Sequence, residues 1–149
     1  MPDLVASICG PSCGLPLFLH VAGALALFGG VGSLTVLSWA AVRATDHAPL
    51  LRRLMLPTLA FAVWPAFVVM RVGAQWVLSR EGLDDNSPGW VNVGFVVSDA
   101  GVVVLLVLTL LAWLSRRRPG TTPWLAGLAS LYALALGVAW FAMSGKPGS

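Results

Sequence analysis

Four stretches of this chain, roughly 16–42, 50–79, 88–115 and 123–144, each run longer than the ~20 largely apolar residues that a helix needs to cross a bilayer. That feature leaves few choices of fold. In hydrocarbon every backbone N–H and C=O must find its partner inside the protein, and for separate segments of this length the solution is an α-helix. Charge is correspondingly sparse. Only 10% of the 149 residues are charged and 58% are hydrophobic, whereas a water-soluble domain carries about 25% charged residues. The expected fold is all-α, a four-helix transmembrane bundle forming a single domain over residues 1–149.

Local punctuation agrees with the hydropathy. Pro16, Pro49, Pro88 and Pro123 lie near the four helix starts, where a missing N–H costs nothing. Ser87 and Thr122 precede two of them and suit the N-cap. Gly82 and Gly120 follow the second and third helices, as helix stops do. Connections this short make neighbouring helices antiparallel, giving an up-and-down arrangement. Pro57 and Pro65 fall inside the second helix, and Pro65 is expected to kink it.

Arginine placement orients the bundle. Arg43, Arg52 and Arg53 occupy the first connection, and Arg116, Arg117 and Arg118 the third. The second carries Arg80 against Glu81, Asp84 and Asp85, and the C-terminal tail has Lys146 alone. Positive loops stay on the cytoplasmic side, so both termini and the acidic loop are expected outside. Trp39, Trp113 and Trp124 then mark the inner interface, and Trp76, Trp90 and Trp140 the outer one, with Trp64 a packing residue. The start Met1-Pro2-Asp3-Leu4 has no positive n-region, so the first apolar segment is expected to be kept as a helix. The formal charge of +3 does not point to nucleic acid. Its carriers sit at helix ends, and no basic patch is interleaved with aromatics. The partners to expect are the lipid bilayer and a second copy or larger membrane complex.

Two charges interrupt the apolar stretches, Arg71 in the second and Asp99 in the third. A charge at bilayer depth costs at least a few kcal/mol unless paired or wetted, so it marks a candidate site. In antiparallel helices the two lie at similar depth, roughly 7 and 5 Å outward of the midplane at ~1.5 Å rise per residue. An Arg–carboxylate pair there can be bidentate, each partner removing the other's isolation. Gln75 lies one turn above Arg71, and His20, early in the first helix, is expected at Gln75's level. The candidate site in the outer half is therefore His20, Arg71, Gln75 and Asp99, serving either as a structural ion pair or as a place for a ligand, ion or proton.

His20 is also the candidate metal position. An intrachain bis-histidine haem finds no second axial ligand, because His47 sits in a connection, although a dimer would supply two copies of His20. Copper held by His20 and a thioether is a further option, without a Met-rich cluster to support it. Cys9 and Cys13 precede the first helix on the expected outer side, where a disulfide could form. A CxxxC spacing is compatible with a structural bridge, free thiols or metal binding, and no CxxC motif points to thiol exchange. There is no phosphate-binding glycine loop, HExxH or nucleophile elbow. Small residues recur at helical spacing, Ala22, Ala26, Gly30 and Ser33 on the first helix and Ala133 and Gly137 on the fourth. They suit close helix packing within one chain or between two.

The run Leu19-His20-Val21-Ala22-Gly23-Ala24 through Phe28-Gly29-Gly30 resembles the opening helix of small bacterial membrane proteins of the DUF2269 family, and more distantly that of CopD-like copper-resistance membrane proteins. The resemblance covers about one helix. It implies a multi-pass protein of the bacterial inner membrane with His20 as the position to test. Taken together, the residues lead to the expectation of a non-enzymatic accessory or binding subunit. The alternative is a haem- or metal-linked redox or ion-transport component using His20.

Overall fold

The computed structural model describes residues 14–81 and 89–145. Among these residues the chain is all-helical, without a strand. The helices are α1 (Leu15–Arg43), α2 (Ala48–Thr58), α3 (Trp64–Glu81), α4 (Gly89–Ser115) and α5 (Thr122–Gly145). A π-helical turn, Leu59–Val63, joins α2 to α3, and a 3₁₀ turn, Pro119–Thr121, precedes α5. Because α2, the π turn and α3 run on as one segment, four helical segments are long and apolar enough to cross a membrane. Cys9 and Cys13, the acidic residues Asp84 and Asp85, and Lys146 lie outside the described residues.

Where a proline kink was expected, the chain takes the π turn. Pro57 and Pro65 lie eight residues apart and each removes one i→i−4 donor. Between them the Trp64 N–H reaches back to the Leu59 carbonyl, five residues earlier. The wider turn also solves a packing problem. Met55, Leu59, Val63 and Phe67 are all buried at intervals of four, and on a regular α-helix such a series drifts by about 40° per step. A π turn takes up that drift and keeps all four on one face.

Packing divides the helices into two pairs. α3 packs chiefly on α1, and α4 chiefly on α5, with α1 against α5 closing the assembly. The first pair meets through glycine. A Cβ on Gly23 would fall on the Met70 backbone nitrogen and 2.7 Å from its Cα, and one on Gly73 would fall on the His20 nitrogen and 2.8 Å from its Cα. Further along, a Cβ on Gly30 would stand 3.1 Å from the Val63 Cγ2. Of the small residues expected to carry close packing, Gly30 does so, while Ala26 and Ser33 are exposed. The buried series on α1 is instead Gly23, Leu27, Gly30, Leu34, Ser38 and Ala41, a near-heptad stripe.

The core proper is Leu27, Val31, Leu34, Met55, Leu59, Val63, Leu105, Leu108, Leu125 and Ala129. The outer surface is equally apolar. Phe61 is 83% exposed, Phe141 79% and Leu134 69%. A monomer in water does not carry large side chains like these all round its helices, whereas a bilayer solvates them. Three segments also end in the same device, with an arginine one turn beyond a tryptophan and its guanidinium over the indole. The distances from guanidinium carbon to ring centre are 5.5 Å for Arg43 on Trp39, 5.2 Å for Arg80 on Trp76 and 4.8 Å for Arg117 on Trp113. Ring and cation together suit the headgroup level.

Candidate functional site

The seam between the second and third segments is unlike the α1–α3 contact. It is close where α2 meets α4, with Ser115 and Met55 buried against each other, and slight along α3. There the helices are linked by polar side chains. The Trp64 indole N–H donates to the Thr109 hydroxyl at 3.1 Å, so the residue expected only to pack also ties the two segments together. About two turns further along, Arg71 reaches across from α3. Its Nη2 donates to Asp99 Oδ1 at 2.5 Å, and its Nη1 to the Ser98 hydroxyl at 3.2 Å.

The expected Arg71–Asp99 juxtaposition is therefore present. The planar fork spans two consecutive residues of α4. Ser98 is buried, and its hydroxyl takes up the inner arm of the fork. Asp99 projects outward, its side chain 65% exposed against 32% for Arg71. Successive residues of a helix point about 100° apart, and this alone turns Ser98 inward and Asp99 outward.

His20 comes to the same neighbourhood by a separate route. Its Nδ1 lies 3.2 Å from the Met70 carbonyl oxygen. A carbonyl can only accept, so Nδ1 carries a proton and donates it to this bond. The Gly73–His20 approach sets His20 beside Met70–Gly73, deeper than the Gln75 level expected from rise alone. Gln75 itself is exposed and makes no side-chain hydrogen bond among the described residues. His20 of α1 thus bonds the backbone of Met70, the residue that precedes Arg71 on α3. No group of three His, Cys, Asp or Glu side chains able to hold a metal occurs among the described residues.

One further member stands outside the four site residues expected from the sequence. Tyr132 of α5 is buried, and its hydroxyl has no hydrogen-bond partner among the described residues. It sits against Gly101, where an added Cβ would lie 2.5 Å from the phenolic oxygen. Gly101 follows Ser98 by three residues on the same face of α4. A lone tyrosine midway along an apolar helix was the available signal. Arg71, Ser98, Asp99 and Tyr132 thus gather at the third segment's meeting with its two neighbours. Chemically the group offers one anchored carboxylate, a fixed cation and an unmet hydroxyl. No protein-family model, curated protein or solved structure matches the chain.

Proposed function

We propose that the chain is a multi-pass membrane protein that acts as a non-enzymatic binding or accessory subunit, using the Arg71–Ser98–Asp99 bridge as its contact site. In this reading the bundle is up-and-down with both termini outside, the sense that the arginine-rich first and third connections favour. The resemblance of the first helix to DUF2269 proteins favours a bacterial inner membrane. The single observation that carries the function is the exposure of Asp99. Trp76 and Arg80 mark the interface, and Arg71 lies five residues, about 8 Å, further in. A carboxylate level with it and 65% exposed would face hydrocarbon in an isolated chain, at a cost of at least a few kcal/mol. A hydrogen-bond donor from another transmembrane helix, in a second copy or a different subunit, removes that cost. The bridge to Arg71 holds the carboxylate in place to receive it.

The test is site-directed photo-crosslinking in the native membrane. A crosslinker at Val96, exposed one turn from Asp99 on α4, should capture one discrete species. Asp99→Asn should abolish that capture while the solubilised protein keeps its elution profile. Capture unchanged in Asp99→Asn, or no capture at Val96, refutes the reading.

A further inference from the structure

At the opposite end of the molecule the arginines are neither paired nor dispersed. Arg52 and Arg53 on α2 and Arg116 and Arg117 just past α4 line one open cavity of about 490 Å³, together with Trp113 and Pro49. That size lies within the range of roughly 300–1,000 Å³ usual for small-ligand sites. No carboxylate lines it, and none of the four arginines has an ion-pair partner among the described residues. Positive-inside topology accounts for arginines in these connections. It does not require four of them, from two different segments, to converge on a single concave surface.

Three features prepare that surface for an anion. Two of the guanidiniums are already positioned, that of Arg52 by an Nε bond to the Ala48 carbonyl at 3.1 Å and that of Arg117 by stacking on Trp113. The N-terminus of α2 opens beside them at Pro49, with no side-chain cap and no acidic residue in its first turn. A second cavity of about 270 Å³ shares Arg52 with the first, and Thr122, whose buried hydroxyl lacks a partner among the described residues, lines it.

We propose that this cavity binds the headgroup of an anionic phospholipid that carries two phosphates, one at each arginine pair. Arginine forks match phosphate oxygens bidentately, and two pairs on two segments call for two such groups. The lipid source is favoured over a free anion by what adjoins the cavity. Trp113 is 44% exposed and Trp124 75%, placing indole rings at the level where headgroup meets acyl chain. Beyond Trp113, Leu110 and Leu106 of α4 are exposed one and two turns further along, an apolar track for the chains themselves. The site is separate from the Arg71–Asp99 bridge and does not rest on its reading.

Native mass spectrometry of the delipidated full chain tests it, with a diphosphatidylglycerol, phosphatidylglycerol, phosphatidylcholine and inorganic phosphate as probes. The two-phosphate lipid should be held about tenfold or more tighter than phosphatidylcholine, and Arg52→Gln with Arg116→Gln should remove most of that preference. Arg43→Gln should leave it intact, because Arg43 stacks on Trp39 and does not line the cavity. Three results would overturn the proposal: no preference among the lipids, an equal loss in Arg43→Gln, or displacement of the lipid by millimolar inorganic phosphate. The wild-type preference alone decides the first, so failure of a variant to fold leaves the proposal open to refutation.

Discussion

α3 meets its two neighbours by opposite means. Against α1 it uses backbone on backbone, with Gly23 and Gly73 clearing the space. Against α4 it leaves a loose seam and crosses it with long polar side chains, Arg71 to Ser98 and Asp99 and Trp64 to Thr109. In lipid there is little hydrophobic gain from bringing two apolar helices together, so packing and hydrogen bonds must supply the association. The first contact spends that opportunity on dispersion at minimal separation. The second spends it on a few directed bonds and so remains able to open. A tight contact is sensitive to volume and a bridged seam to charge, which is what separates them experimentally.

The largest effect should come from adding volume to the tight contact. Gly23→Ala or Gly73→Ala places a methyl on backbone that cannot yield, and each should cost about 3 kcal/mol or more, the upper end for overpacking. Gly30→Ala meets a Val63 methyl at 3.1 Å, with the Val63 backbone no nearer than 3.6 Å, and should cost about 1 kcal/mol. Gly29→Ala and Gly32→Ala, with nothing within 4 Å of the new Cβ, should leave stability unchanged. Thermal unfolding in detergent gives the order. A Gly29 variant as damaged as the Gly23 one would show that the contact is misplaced, or that the exposed face of α1 is itself covered in solution.

Charge should govern the seam. Arg71→Asp and Asp99→Arg should each lower folded yield, by the equivalent of about 1–2 kcal/mol for a polar link between helices. The double swap should recover most of that loss. Asp99→Asn should be milder than Arg71→Gln, because an amide oxygen can still accept from the fork while an amide at position 71 reaches neither partner. Equal yields in the two single swaps and the double swap would mean that the two side chains do not interact. The same swaps should not alter the glycine ranking.

A smaller effect is expected at Tyr132. Its hydroxyl has no partner among the described residues, so Tyr132→Phe should be neutral or stabilising by up to about 1 kcal/mol. Gly101→Ala should destabilise the native chain, since the new Cβ meets the phenolic oxygen at 2.5 Å. In the Tyr132→Phe background the nearest atom becomes the ring carbon Cζ, at 3.3 Å, and much of the cost should vanish. A double-mutant cycle measures that coupling. If Tyr132→Phe instead destabilises the chain, the hydroxyl has a partner such as a bound water.

Uninterrupted hydropathy determined the number and placement of the helices, because a backbone in hydrocarbon has no alternative to bonding with itself. Depth arithmetic on Arg71 and Asp99 likewise brought the two into reach, since a helix advances by a constant rise and oppositely directed spans share a scale. Tertiary structure alone decided the rest. Which glycine packs depends on which face a neighbouring helix takes, so Gly23 and Gly73 stood out no more in the sequence than Gly29 and Gly32. His20 faces Met70 and Gly73 through the register at which α1 meets α3, which rise along one helix does not give. The fork of Arg71 divides between Ser98 and Asp99 because α4 turns one inward and the other outward, and the arginines of two connections share one cavity only because α2 begins beside the end of α4. Residue types and spacings along one segment are local quantities, whereas the rotation and approach of one helix against another follow from every contact between them at once.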